Sequence, residues 1–106
     1  MVSEMVREQV LRLTHAELPF STAVMVDHFE EANDGKLLRI YCTIFVERDS
    51  QKGIMIGHKG SRLRSVGTAA RLQIEALLGT PVYLDLQVKI AKDWQRDPRQ
   101  LRKLGF

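Results

Sequence analysis

Gly57-His58-Lys59-Gly60 is the sharpest chemical feature of the sequence. Glycine at both ends removes the Cβ atoms that would hold a sugar-phosphate chain at a distance, and it permits positive φ values. A helix opening near Gly60 leaves its first N–H groups without partners and puts the positive end of its dipole beside the loop, which favours phosphate. Lys59 adds a formal charge. Lys52, Arg62 and Arg64 flank the loop as further phosphate-neutralising groups, and Lys36 and Arg39 extend the track if a hairpin folds toward it. Ile54, Ile56 and Leu63 are the candidate floor of an adjoining apolar groove, a role they share with a place in the core. Spacing alone serves a plain helix-helix turn equally well, and an isolated arginine is equally at home as a solvated charge.

Charge along the chain fits the first reading, and a solvated surface accounts for it equally well. Residues 1–35 carry 2 basic and 7 acidic side chains, whereas residues 36–64 carry 7 basic and 2 acidic ones and residues 65–106 carry 7 and 4. A basic centre beside an acidic N-terminal segment is the footprint of a phosphate-binding face, although the net charge is only +3. At 106 residues, 44% hydrophobic and 27% charged, the chain has the size and composition of one globular domain with a real core. Cys42 is the single cysteine, so neither an internal disulfide nor a zinc-finger spacing is available. No apolar run approaches the roughly 18 residues of a membrane span, and the N-terminus lacks the basic and apolar regions of a signal peptide.

The elements that must hold the loop follow from periodicity. Val2, Met5, Val6, Val10 and Leu13 recur at helical steps, and the helix should stop before Pro19, because a residue preceding proline is pushed out of helical dihedrals. Residues 22–31, with Val24 and Val26, read as a strand of untidy alternation. Asn33-Asp34-Gly35 is turn chemistry for a hairpin. The next strand is cleaner: Leu38, Ile40, Cys42, Ile44 and Val46 face the core, and Arg39, Tyr41, Thr43, Phe45 and Glu47 face outward. Asp49 or Ser50 is the expected N-cap of a short helix, Gln51 to Ile56, ending at Gly57. A long helix begins near Gly60 and ends at Gly79, with Leu63, Val66, Ala70, Ile74, Leu77 and Leu78 on its buried face. Gly67 lies in its middle, where glycine costs about 1 kcal/mol relative to alanine, and is expected to permit a close helix-to-sheet approach. A third strand turns Val82, Leu84, Leu86, Val88 and Ile90 inward, and Asp97-Pro98 opens a short C-terminal helix with Leu101 and Leu104. Helices packed on one face of a three-stranded sheet make an α+β sandwich.

Enzyme chemistry finds little footing. His15-Ala16-Glu17 matches half of a deaminase zinc signature, but no Pro-Cys-x-x-Cys follows, and His28 and His58 have no Cys or acidic partner at ligand spacing. Cys42 falls in the buried set of its strand and reads as a small core hydrophobe. A membrane-surface role through the basic face lacks a strongly basic amphipathic helix.

The text around the loop carries a resemblance. Val46-Glu47-Arg48-Asp49-Ser50-Gln51-Lys52-Gly53-Ile54-Met55-Ile56-Gly57-His58-Lys59-Gly60, followed by Leu63, Gly67 and Ala69-Ala70-Arg71, closely resembles the C-terminal KH domain of the Era family of GTPases. Leu18-Pro19-Phe20-Ser21, Val82-Tyr83-Leu84-Asp85-Leu86, Val88-Lys89, Trp94 and Leu104-Gly105-Phe106 extend it over nearly the whole chain. The resemblance implies a type II KH fold, whose first two strands precede the loop and whose third follows it. It implies that Gly57, His58, Lys59 and Gly60 clamp single-stranded RNA, with His58 standing where Asn or Lys is more usual. The implied partners are the 3′ end of the small-subunit ribosomal RNA and the small ribosomal subunit whose assembly the family assists. The implied location is the bacterial cytoplasm with peripheral contact at the inner membrane, or an organelle in a eukaryote. Era proteins also carry a GTPase domain, and no G-x-x-x-x-G-K-[ST] loop occurs here. Residues 1–106 are therefore expected to be one KH domain of a longer protein, with GTP and Mg confined to its GTPase domain and no cofactor in this chain. A stand-alone KH protein, or a KH fold that docks proteins through Trp94, Leu101 and Leu104, is the alternative.

Overall fold

The computed structural model describes residues 1–14 and 22–91, the side chains of residues 13 and 14 excepted. The proline stop at Leu18-Pro19 and the terminal helix expected after Asp97-Pro98 lie outside these residues. In chain order the elements are α1 (Val2–Thr14), β1 (Ala23–Ala32), β2 (Leu37–Val46), α2 (Asp49–Ile56), a single 3-10 turn (His58–Gly60), α3 (Ser61–Leu78) and β3 (Val82–Ile90).

The strands form one sheet in the order β1-β2-β3, with β1 antiparallel and β2 parallel to β3. Asn33, Asp34 and Gly35 all take positive φ in the hairpin, as the turn chemistry requires. The untidy alternation of β1 has a cause: the register shifts between Val26 and His28, leaving Asp27 as the extra residue of a bulge. Leu38, Ile40, Cys42, Ile44 and Val46 are all buried, and with Val82 and Val88 of β3 they meet Val6 and Val10 of α1, Met55 of α2, and Val66, Ala70 and Ile74 of α3 in one core. Two glutamines tie the outer helices together, Gln9 Nε2 of α1 donating to Gln73 Oε1 of α3 at 2.8 Å.

Two expectations need correction. Leu77 and Leu78 are exposed rather than buried, because the core ends at Ile74 and the last turn of α3 runs beyond it. Thr43, expected outward, has no exposure at all. Its hydroxyl donates to Asp27 Oδ2 on β1 and accepts from Gln87 Nε2 on β3 at 3.1 Å, so one side chain links three strands on the face away from the helices.

Candidate functional site

The loop is built by its two helices. α2 begins two residues earlier than expected, with Arg48 rather than Asp49 or Ser50 at the N-cap. The reason is Gln51, whose Oε1 accepts from the backbone N–H of both Glu47 (2.8 Å) and Arg48 (2.9 Å) and so reaches back from the first turn to fix the chain where it enters the helix. α2 ends at Gly57, whose N–H donates to Gly53 O at 2.9 Å and whose φ of 77° with ψ of 179° is open to glycine alone. A Cβ there would lie 2.7 Å from Arg62 Cβ and 2.9 Å from Arg62 N, so the two helices meet backbone to backbone.

His58 and Lys59 stand exposed at the tip. Lys59 is left-handed at φ 53°, and Gly60 follows at φ 77°, with its N–H returning to Gly57 O at 3.2 Å. Gly60 is also the N-cap of α3. It has no side-chain oxygen to offer the opening N–H groups, and no acidic residue stands in the first turn. From Ser50 to Ile74 the sequence holds five basic residues and no acidic one.

The flanking cations take different parts. Arg62 Nη1 donates to Ile54 O at 2.9 Å, so this guanidinium staples α3 to the carbonyl end of α2, where a cation also opposes the helix dipole. Arg64 Nη2 donates to Lys59 O at 3.1 Å and stays exposed at the mouth of the loop. Lys52 is half-buried on α2. Lys36 and Arg39 do not extend the track. Lys36 lies at the hairpin end of β2, about 30 Å of strand from the end where α2 begins. Arg39 faces away from the helices and pairs with Glu30 at 3.7 Å.

Beside the loop, α3 and β3 leave a groove of about 320 Å³ lined by Gly60, Leu63, Arg64, Gly67, Thr68, Arg71, Leu84 and Leu86. Of the three floor candidates only Leu63 belongs to it. Ile56 packs against the core, and Ile54 does not line the groove. Leu84 and Leu86, assigned to the core by their alternation, do pack against it, but they are only half-buried and also form the floor of the groove. The signal was in α3: Gly67 has no side chain to cover Leu86, its absent Cβ lying 3.6 Å from Leu86 Cδ1. The expected tight helix-sheet approach at Gly67 is therefore not found, since 3.6 Å is ordinary van der Waals contact.

Among the described residues there is no cluster of three or more His, Cys, Asp or Glu that could hold a metal ion. Burial, with Asp27 and Asp85 adding to it, pushes the Cys42 thiol up to about 11, the opposite of an activated nucleophile. No described helix is long and apolar enough to cross a membrane.

A three-stranded mixed sheet, helices on one of its faces and a Gly-x-x-Gly corner between two of them define a KH domain. The family model for the KH domain matches residues 17–95, and the chain belongs to that family. Along its full length it is similar to GTPase Era of a Nocardioides species, at 64% identity over 110 residues, and it is 54% identical over 104 residues to GTPase Era of Geobacter metallireducens. The chain spans about a third of these relatives, 35% of each. Among solved structures, it superposes with a TM-score of 0.91 and 41% identity on Era in complex with MgGDPNP and nucleotides 1506–1542 of 16S ribosomal RNA, covering 98% of this chain and 35% of that one. A variant of Aquifex aeolicus Era bound to GDP and AlF4− gives a TM-score of 0.90 at the same identity and coverage.

Proposed function

We propose that this chain grips single-stranded RNA, at the 3′ end of the small-subunit ribosomal RNA, as the RNA-binding part of an Era-like GTPase that assists small-subunit assembly. The observation that carries the reading is the contiguity of loop and groove at Gly60. Phosphates meet Lys59 and the opening N–H groups of α3 on one side of that residue, and bases meet Leu63, Leu84 and Leu86 on the other. Phosphate contacts fix position without reading sequence, and the groove supplies what preference there is. A flat edge of bases fits such a groove only when the strand is single, because a duplex keeps its bases paired inside. That a relative of the same fold has been solved with the 1506–1542 segment of 16S ribosomal RNA supports the choice of target. GTP and Mg would belong to the remaining two thirds of the protein. A ribosomal target would put its place of work in the bacterial cytoplasm, with peripheral contact at the inner membrane, or in an organelle of a eukaryote.

The test is a fluorescence-anisotropy titration of a ten-nucleotide strand ending the small-subunit ribosomal RNA, against a scrambled strand and a duplex, at two salt concentrations. A His58→Asp, Lys59→Asp double variant runs beside it. Both side chains are exposed, and aspartate tolerates the left-handed conformation of position 59, so the fold survives. Preference for the native strand, lost roughly tenfold or more in the variant, supports the clamp and its target. Equal weak binding to all three ligands, indifferent to the variant, leaves only a basic surface and refutes the reading.

A further inference from the structure

Gly67 is the seventh residue of the 18-residue α3, far from either end. Glycine in a helix interior is destabilising relative to alanine, so its presence calls for a reason. Two usual reasons fail. Its backbone is not in the positive-φ region, and a Cβ placed on it would meet only Leu86 Cδ1, at the ordinary contact distance of 3.6 Å. Alanine would fit the packing and improve the helix.

What distinguishes the position is its neighbours. Leu63, Gly67 and Arg71 follow one another at four-residue steps and form a single ridge along α3, with Gly67 as the gap. Through that gap the groove reaches Leu86, while Arg64, Thr68 and Arg71 stand along its rim, each guanidinium committing one nitrogen within the chain, Arg64 to Lys59 O and Arg71 to Glu75, and keeping further N–H groups. A planar ring entering edge-on would find apolar floor below, at Leu84 and Leu86, and donors beside it. A methyl group at Gly67 would stand in its path.

Resting on the RNA-binding reading above, we propose that Gly67 is a specificity-determining residue, its bare backbone forming the notch through which one nucleobase of the bound strand reaches the groove floor. The fold gives up helix stability there for access by a ligand. Base seating at Gly67 is separate from the phosphate clamp at Lys59, so the two can be perturbed one at a time.

The experiment uses the 106-residue chain as wild type, Gly67→Ala and Gly67→Leu, with Lys59→Asp as the clamp control. Thermal denaturation is measured for each, then anisotropy titrations over a salt series with the ten-nucleotide strand and with strands made abasic at each position in turn. Gly67→Ala is expected to hold or raise Tm, to weaken the intact strand roughly tenfold, as the loss of one seated base does, and to leave the salt slope unchanged. Gly67→Leu weakens it further. One abasic position should bind wild type and Gly67→Ala equally, which marks the seated base. A lower Tm for Gly67→Ala would overturn the proposal by making the glycine a packing requirement. So would unchanged affinity for the intact strand while Lys59→Asp loses it, and in that case the RNA-binding reading stands alone. If wild type prefers no strand over duplex, both fall together.

Discussion

Replacing Gly57 by alanine, and Gly60 by alanine for comparison, separates two glycines that the motif treats as equals. At Gly57 the pair φ 77°, ψ 179° belongs to a region that only glycine occupies readily, and holding another residue there costs about 1–3 kcal/mol. The added Cβ would also sit 2.7 Å from Arg62 Cβ and 2.9 Å from Arg62 N, atoms of the first turn of α3 that cannot swing aside as a flexible side chain would. Forcing a methyl group into occupied space adds about 1–3 kcal/mol, and the stiffer unfolded chain returns roughly 0.4–1 kcal/mol. The net expectation is about 3 kcal/mol. Gly60 has φ 77° and ψ 12°, the ordinary left-handed well, and its Cβ would meet only Arg64 Nη2 at 3.8 Å. Its net cost is about 1 kcal/mol or less. Urea unfolding followed by far-ultraviolet circular dichroism gives both values, provided the slopes agree. In thermal terms Gly57→Ala should lower Tm by about 12–24 °C and Gly60→Ala by less than about 8 °C. Equal losses, or the larger one at Gly60, would refute the backbone-on-backbone corner.

Thr43→Val removes a buried hydroxyl that bridges Asp27 and Gln87, and urea unfolding should show a loss of about 1–2 kcal/mol. Cys42 should react with a thiol-specific disulfide reagent only as fast as the protein unfolds, and at full speed in denaturant. Its titration also sets a direction for stability: the folded thiol keeps its proton up to about 11 while an unfolded one loses it near 9.0, so the contribution is intact below 9.0 and is lost as pH rises toward 11, measurable as a falling urea midpoint across that window. His58→Lys places a second fixed charge at the loop tip and should steepen the dependence of log K on log salt for single strands by about 0.7.

The sheet and the corner were legible in the sequence because each rests on local rules. Alternation in Leu38 to Val46 placed β2 and its buried face, Asn33-Asp34-Gly35 placed the hairpin, and Gly57 and Gly60 bounded the loop with the backbone freedom it uses. What escaped depends on register between distant elements. Leu84 and Leu86 carry the same alternation as Val82 and Val88, but they pack against the core while keeping part of their surface open to the groove beside Gly67. Leu77 and Leu78 fit the apolar stripe of α3, but periodicity does not say where the core beneath a helix ends. The cap of α2 was misplaced for a similar reason, since Gln51 reaches back from the first turn to the N–H groups of Glu47 and Arg48 and so sets the start of the helix at Arg48. Arg62 looked like one basic residue among several until its bond to Ile54 O showed it holding the corner together.

The jam between Gly57 and Arg62 bears on how such a domain can change over evolutionary time. Because the angle between α2 and α3 is set by backbone against backbone, almost any substitution at that corner is paid in folding, and selection has little room to adjust the loop. The groove wall a few residues on has slack: positions 67, 68, 84 and 86 are partly exposed, and side chains there can grow or shrink without disturbing the corner. A lineage that needed a different strand would therefore rewrite the groove and inherit the grip unchanged.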